Sequence, residues 1–220
     1  MKYPDKLKVS LHTLVLYLCC CFSILAVAQP LKPGPDEITR LTVDEIMTDM
    51  RENQVLYTRN RAGLDAMVEK RLIPRFNFKV MTQLAVGKYW QSASAEQKAA
   101  LEQEFRILLV RTYSNLLFSN LNKLYSNRNE SASVHTTNII KNGDAIVELV
   151  LDSDTSQSAS LALRMRRHLE DWKVIDVSYN GISLIVSYRA SFVREIGHSG
   201  LDGMIASLST KNLANRTNLK

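Results

Sequence analysis

The sequence predicts an α+β protein in which helices pack over one curved antiparallel sheet, and three observations carry that prediction. Apolar residues recur at helical spacing from Val43 to about Leu121. From Val134 the period changes to two and stays so to Tyr179. After Gly181 the helical period returns. Helices, then a run of strands, then helices again is the order of a layered α+β domain, because strands and helices do not alternate. No internal repeat is visible.

The elements follow in order. Thr42 stands where it can cap a helix carrying Val43, Ile46, Met47, Met50, Val55 and Leu56. Leu64, Met67, Val68 and Leu72 continue the spacing until Pro74 stops it. Asn77 is placed to cap a helix through Met81, Leu84 and Ala85 to Tyr89. Ser94 and Gln97 form a capping box for a long helix reaching about Leu121. That helix is apolar on two sides: Leu101, Phe105, Leu108 and Thr112 make one stripe, and Leu109, Tyr113, Leu117 and Leu121 a second. It must therefore be covered on two sides, one facing a core and the other a cavity or a partner.

Four segments read as strands: Val134–Ile140, Ala145–Leu151, Ser160–Arg166 and Trp172–Tyr179. Asn142-Gly143 signals a type I′ hairpin between the first two. Asp152 to Ser158 reads as a polar loop, and Glu170-Asp171 as a short turn. Val147, Leu149 and Leu151 share one face of the second strand, and Leu161, Leu163 and Met165 one face of the third. Alternation alone leaves open which sheet face the helices cover. Leu184, Val186, Tyr188 and Phe192 are helical in spacing, and a last helix holds Leu201, Met204, Ile205 and Leu208.

The N-terminus reads as an export signal; the alternative is an uncleaved membrane anchor, and the small-x-small ending with the Pro-rich stretch beyond it favours cleavage. Lys2, Lys6 and Lys8 precede an uncharged apolar run from Leu11 to Ala28, and Ala26-Val27-Ala28 supplies the small residues of a cleavage site. The expected organisation is a cleaved signal peptide over 1–28, a Pro-rich linker over 29–41, one folded domain over 42–210 and a polar tail over 211–220. Cys19, Cys20 and Cys21, the three cysteines of the chain, all fall in the leader. The exported chain then has no disulfide, thiol nucleophile or cysteine zinc site. Losing Lys2, Asp5, Lys6 and Lys8 with the leader lowers the formal charge from +6 to +4. That is mildly basic, and no aromatic-basic motif for nucleic acid accompanies it.

Motifs that carry chemistry are few. There is no Gly-rich phosphate loop and no Gly-x-Ser-x-Gly elbow. His135, His168 and His198 are scattered, without a partner at metal-ligand spacing. Asp152-Ser153-Asp154 resembles the start of a calcium loop but lacks its Gly and terminal Glu. Asp176, on the fourth strand, is a general base if it faces a cavity and a structural partner for Arg164 or Arg166 if it does not. Two basic groups stand out, Arg164, Arg166, Arg167 and Lys173, and Lys70, Arg71, Arg75 and Lys79. Most such charges are solvated, and a smaller role is to hold a phosphate at a pocket mouth.

Several segments together carry a family resemblance. Pro74-Arg75-Phe76-Asn77-Phe78 is similar to a signature that usually has Asp at the position of Asn77. Ala85-Val86-Gly87-Lys88-Tyr89-Trp90, Ala93-Ser94-Ala95-Glu96-Gln97 and Phe105 to Tyr113 follow in order. Trp172 to Val177, Gly181-Ile182-Ser183-Leu184 and Tyr188-Arg189-Ala190-Ser191-Phe192 complete the pattern. From about Val43 to Leu208 the chain resembles the MlaC family, also called the toluene-tolerance auxiliary component.

The resemblance implies a periplasmic phospholipid carrier that works between an outer-membrane lipoprotein complex and an inner-membrane ABC transporter, with phospholipid as cargo, no cofactor and no catalytic residue. The expected architecture is a cone of the NTF2-like or cystatin-like kind enclosing an apolar cavity. Phe105, Leu109 and Tyr113 of the long helix, Val147, Leu149, Leu161 and Leu163 of the strands, and Leu184 and Tyr188 beyond them are expected to line it. Two other readings remain at this stage: a ligand-free periplasmic adaptor with solidly packed helices, and a small enzyme using Asp176.

Overall fold

In the computed structural model, residues 32–126, 131–139, 142–152 and 159–217 are described. The expected signal peptide, residues 29–31 of the expected linker, Ile140 of the expected first strand and residues 153–158 of the expected polar loop lie outside them.

The first helix, α1 (Pro35–Glu52), begins inside the expected linker. Pro35 occupies a first-turn position where its missing N–H costs nothing, and Asp36 and Glu37 complement the helix dipole there. Thr42 is therefore interior, not a cap: its hydroxyl donates to the Ile38 carbonyl at 2.7 Å, as Thr39 does to Pro35. Two short helices follow, α2 (Gln54–Arg59) and α3 (Arg61–Met67), the second capped by the Asn60 side chain. A π-helical turn (Val68–Leu72) and a 3-10 turn (Ile73–Arg75) carry the chain to Phe76. Pro74 ends the segment as its ring requires.

Asn77 caps α4 (Phe78–Val86), accepting from the Val80 N–H at 3.1 Å. Gly87, at φ 63°, then turns the chain into a 3-10 segment to Trp90. The capping box forms at the start of α5 (Ala95–Ser126): Ser94 Oγ accepts from Gln97 N at 3.1 Å, and Gln97 Oε1 from Ser94 N at 3.0 Å.

The sheet is an antiparallel meander of β1 (Ser131–Ile139), β2 (Ala145–Asp152), β3 (Ala159–His168) and β4 (Asp171–Tyr179). A two-residue β5 (Ile182–Ser183) extends the expected four strands at the edge. Ile139 pairs with Ala145, so the first connection is longer than the expected two-residue turn. The tight hairpin instead joins β4 to β5. Asn180 and Gly181 both have positive φ (47° and 81°) between the paired Tyr179 and Ile182, the type I′ geometry. His168 pairs with Asp171, placing the β3–β4 turn at Leu169-Glu170 rather than Glu170-Asp171. A bulge opposite Arg164 and Met165 lets consecutive Val174 and Ile175 both be buried, and bends the sheet.

The last helix, α6 (Leu184–Thr217), is broken at Gly200, whose φ of 73° and ψ of −179° no helix accommodates. It continues into the expected polar tail as far as Thr217. Asn212 is buried there, donating to the Glu104 carbonyl at 2.9 Å and to its carboxylate at 2.6 Å.

From Pro33 onward the chain forms one unit with three small cores. Met81, Leu101, Phe105, Phe192 and Met204 join α4, α5 and α6. Met50, Tyr57, Leu64 and Met67 join α1 to α3, with Phe118 of α5 against them. Ile38, Val147, Leu149, Met165 and Val174 join α1 to the sheet.

Candidate functional site

Where the three cores meet, the interior holds a cavity of about 860 Å³. This is near the top of the ~300–1,000 Å³ span usual for ligand pockets. Its floor is one face of the sheet. Leu149, Leu161 and Tyr179 are cross-strand neighbours, as are Leu163 and Val177, and Met165 and Val174, and all of them line it. The opposite face carries Arg164, Asp176 and Glu148, so the pleat separates an apolar from a polar side. This resolves the choice of face that alternation leaves open.

The walls come from helices. Leu109, Val110, Tyr113 and Ser114 project from α5, and Leu184, Ser187 and Tyr188 from α6. Seven of the nine residues expected to line a cavity do so: Leu109, Tyr113, Leu149, Leu161, Leu163, Leu184 and Tyr188. Phe105 and Val147 do not, and are packed into the adjoining cores. Phe105 is fully buried between Tyr188 and Phe192, each ring centroid 5.0 Å away. Val147 is fully buried in the core between α1 and the sheet.

The sequence reading missed the third wall. It is made by Ile38, Thr42, Val43 and Ile46 of α1 together with Val68, Leu72 and Ile73 of the π-helical and 3-10 turns. Val43 and Ile46 did show an apolar helical stripe, but nothing local says that α1 folds back over the sheet. A latch holds this wall together. Arg71 donates to Asp49 at 2.6 Å and pairs with Glu45, while Tyr57 donates to Asp49 at 3.0 Å. Burial raises the Asp49 pKa, but the bonds from Tyr57 and Arg71 and the Arg71 charge outweigh it and hold the carboxyl below its ordinary value.

The rim is apolar and open. Tyr113, Tyr179 and Ile182 are 44%, 55% and 69% exposed although all three line the cavity. Polar groups inside are sparse. Burial raises the phenol pKa of Tyr113 and Tyr188, so both remain O–H groups at neutral pH. The buried Ser114 hydroxyl has no hydrogen-bond partner among the described residues. Arg75 is the one charged side chain among the described lining residues.

Asp176 is outside the cavity lining. Its carboxylate accepts from Ser183 Oγ at 2.5 Å and from the Ile185 N–H at 3.1 Å, while Ser183 Oγ accepts from Val186 N at 3.0 Å. Together they cap α6. Arg164 and Arg166, the partners expected for Asp176, instead grip Asp144, whose side chain has no exposed surface. The hydrogen bonds from Arg166 hold the Asp144 carboxyl below its ordinary value. Among the described residues, no group of three or more His, Cys, Asp or Glu stands where it could hold a metal ion. No helix among them is long and apolar enough to cross a membrane.

Comparison with known proteins agrees with this geometry. The chain is similar to the intermembrane phospholipid transport system binding protein MlaC of Haemophilus influenzae, 22% identical over 179 residues that make up 80% of each chain. Its fold is similar to that of a phospholipid-binding protein from Ralstonia solanacearum, solved in complex with a phospholipid. That match has a TM-score of 0.71 and 23% identity, and covers 84% of this chain and 99% of the other. The family model described as MlaC protein matches residues 40–210, well over half of the chain, and the protein therefore belongs to the MlaC family.

Proposed function

We propose that this protein is a periplasmic phospholipid carrier that takes the acyl chains of one lipid into the cavity between its sheet and helices. On this reading it works with an ABC transport system, receiving or delivering lipid at an outer-membrane lipoprotein complex and an inner-membrane transporter. The carrying observation is the large cavity, apolar over nearly all its wall, with an apolar open rim. Family membership supports the same role.

The energetics require such a cavity. Each methylene transferred from water is worth ~0.8 kcal/mol, so two acyl chains of ~30 methylenes would cost roughly 25 kcal/mol in free solution. The adaptor reading leaves the cavity without a purpose. The enzyme reading loses its base, since Asp176 caps a helix and no carboxylate, His or thiol lines the cavity among the described residues.

Leu163→Arg tests the proposal. Leu163 sits mid-sheet on the cavity floor, paired to Val147 and Val177, and an arginine there puts a charge where the acyl chains lie. The folded variant, checked by circular dichroism, is expected to retain no phospholipid through purification. A folded variant carrying as much lipid as the parent would remove this face from the binding site.

A further inference from the structure

Resting on the carrier reading, we propose that Arg75 is the residue that recognises the phosphodiester of the lipid. Three observations converge on it.

The first is its solitude in the wall. The other described lining side chains are apolar or uncharged, so among them Arg75 alone offers an anion a positive charge. The second is its lack of a protein partner. Arg71 is held by Asp49 and Glu45, Arg164 and Arg166 by Asp144, and Lys173 by Asp171. The Arg75 guanidinium makes no hydrogen bond or ion pair among the described residues. Asp171 feels its charge, but that carboxylate is bonded to Lys173 at 2.7 Å and to the Trp172 N–H at 2.8 Å.

The third is a rigid mount. Phe76 bridges to Val174, Asn77 N donates to the Val174 carbonyl at 2.9 Å, and Lys173 Nζ donates to the Pro74 carbonyl at 2.8 Å. The 3-10 turn is thus pinned to β4 on both sides of Arg75. A guanidinium borne on a pinned stretch of backbone beside an apolar cavity, with its fork of donors unused, suits a singly charged phosphodiester bidentately. Glycerophospholipids of different headgroup share that phosphodiester, so this contact selects phospholipids over uncharged diacyl lipids without choosing among headgroups.

The test measures binding of dioleoyl phosphatidylglycerol, dioleoylglycerol and inorganic phosphate to the purified protein and to Arg75→Gln and Arg75→Lys. The parent should prefer the phospholipid to dioleoylglycerol by about tenfold or more, the scale of a charge-assisted bidentate contact. Arg75→Gln should bring that ratio close to one through weaker phospholipid binding, and Arg75→Lys should restore part of it. An unchanged ratio in Arg75→Gln, or no preference in the parent, overturns the assignment to Arg75. Binding of inorganic phosphate alone, lost in Arg75→Gln and without a phospholipid preference, would make this a free-phosphate site instead. A parent that binds neither lipid would contradict the carrier reading itself.

Discussion

Asp144 shows how one residue holds a surface of the sheet together. It sits just before β2 with its side chain fully buried, and Arg164 and Arg166 of β3 reach it at 2.6 Å each. Asp144→Ala would leave two guanidinium groups without their anion, and is expected to cost about 2–4 kcal/mol in denaturant unfolding. The pH dependence has a definite sign. The folded pKa lies below the ordinary value of 3.8, so the unfolded chain binds more protons near that pH. The contribution is complete above the unfolded pKa and is lost as pH falls through the folded one. Asp49 and Asp171 are lowered too and act in the same direction. Stability of the parent should therefore drop below about pH 4, and drop less steeply in Asp144→Ala. A variant with the parent's acid profile would show that Asp144 is not a main contributor. This pairing was not legible in the sequence, where Asp176 on the neighbouring strand reads as the partner of Arg164 or Arg166; the register does set Asp176 opposite Arg164, but the guanidinium turns to Asp144.

At the scale of elements, legibility followed locality. The Asn77 cap and the Ser94–Gln97 box involve atoms three residues apart, and both form as their spacing predicts. The start of α1 did not show, because Pro35 reads equally as the end of a Pro-rich linker and as a first helical residue. Of two Asn-Gly pairs, only Asn180-Gly181 makes the tight turn. The pairing of Ile139 with Ala145, not the dipeptide, sets the length of the other connection. Both sides of α5 were visible as apolar, but not what covers each. The Phe105 side meets α6, while Leu109 and Tyr113 meet the cavity. The α6 cap provides a test of the Asp176 assignment. Asp176→Ala removes acceptors for Ser183 and Ile185 and should lower stability by about 1–2 kcal/mol in thermal unfolding, with lipid retention unchanged. Loss of lipid from a fully stable variant would instead place Asp176 at the binding site.

For the whole molecule, the arrangement of three small cores around a cavity is the central fact. A single packed core would be more stable, since each unfilled space forgoes contacts that its lining could make. Here the cost falls on residues that a lipid can repay: the sheet face of Leu149, Leu161 and Leu163, the α5 and α6 walls, and the α1 wall latched by Arg71. Much of the sheet and α5 contribution was readable from periodicity. The α1 wall was not, because a helix folding back over a sheet is set by contacts distant in sequence. The measurement that tests the account most directly is mass spectrometry of organic extracts from the natively purified protein. The account predicts about one phospholipid per chain, released together with its full set of acyl chains. Protein that is free of lipid and also refuses added phospholipid would contradict it.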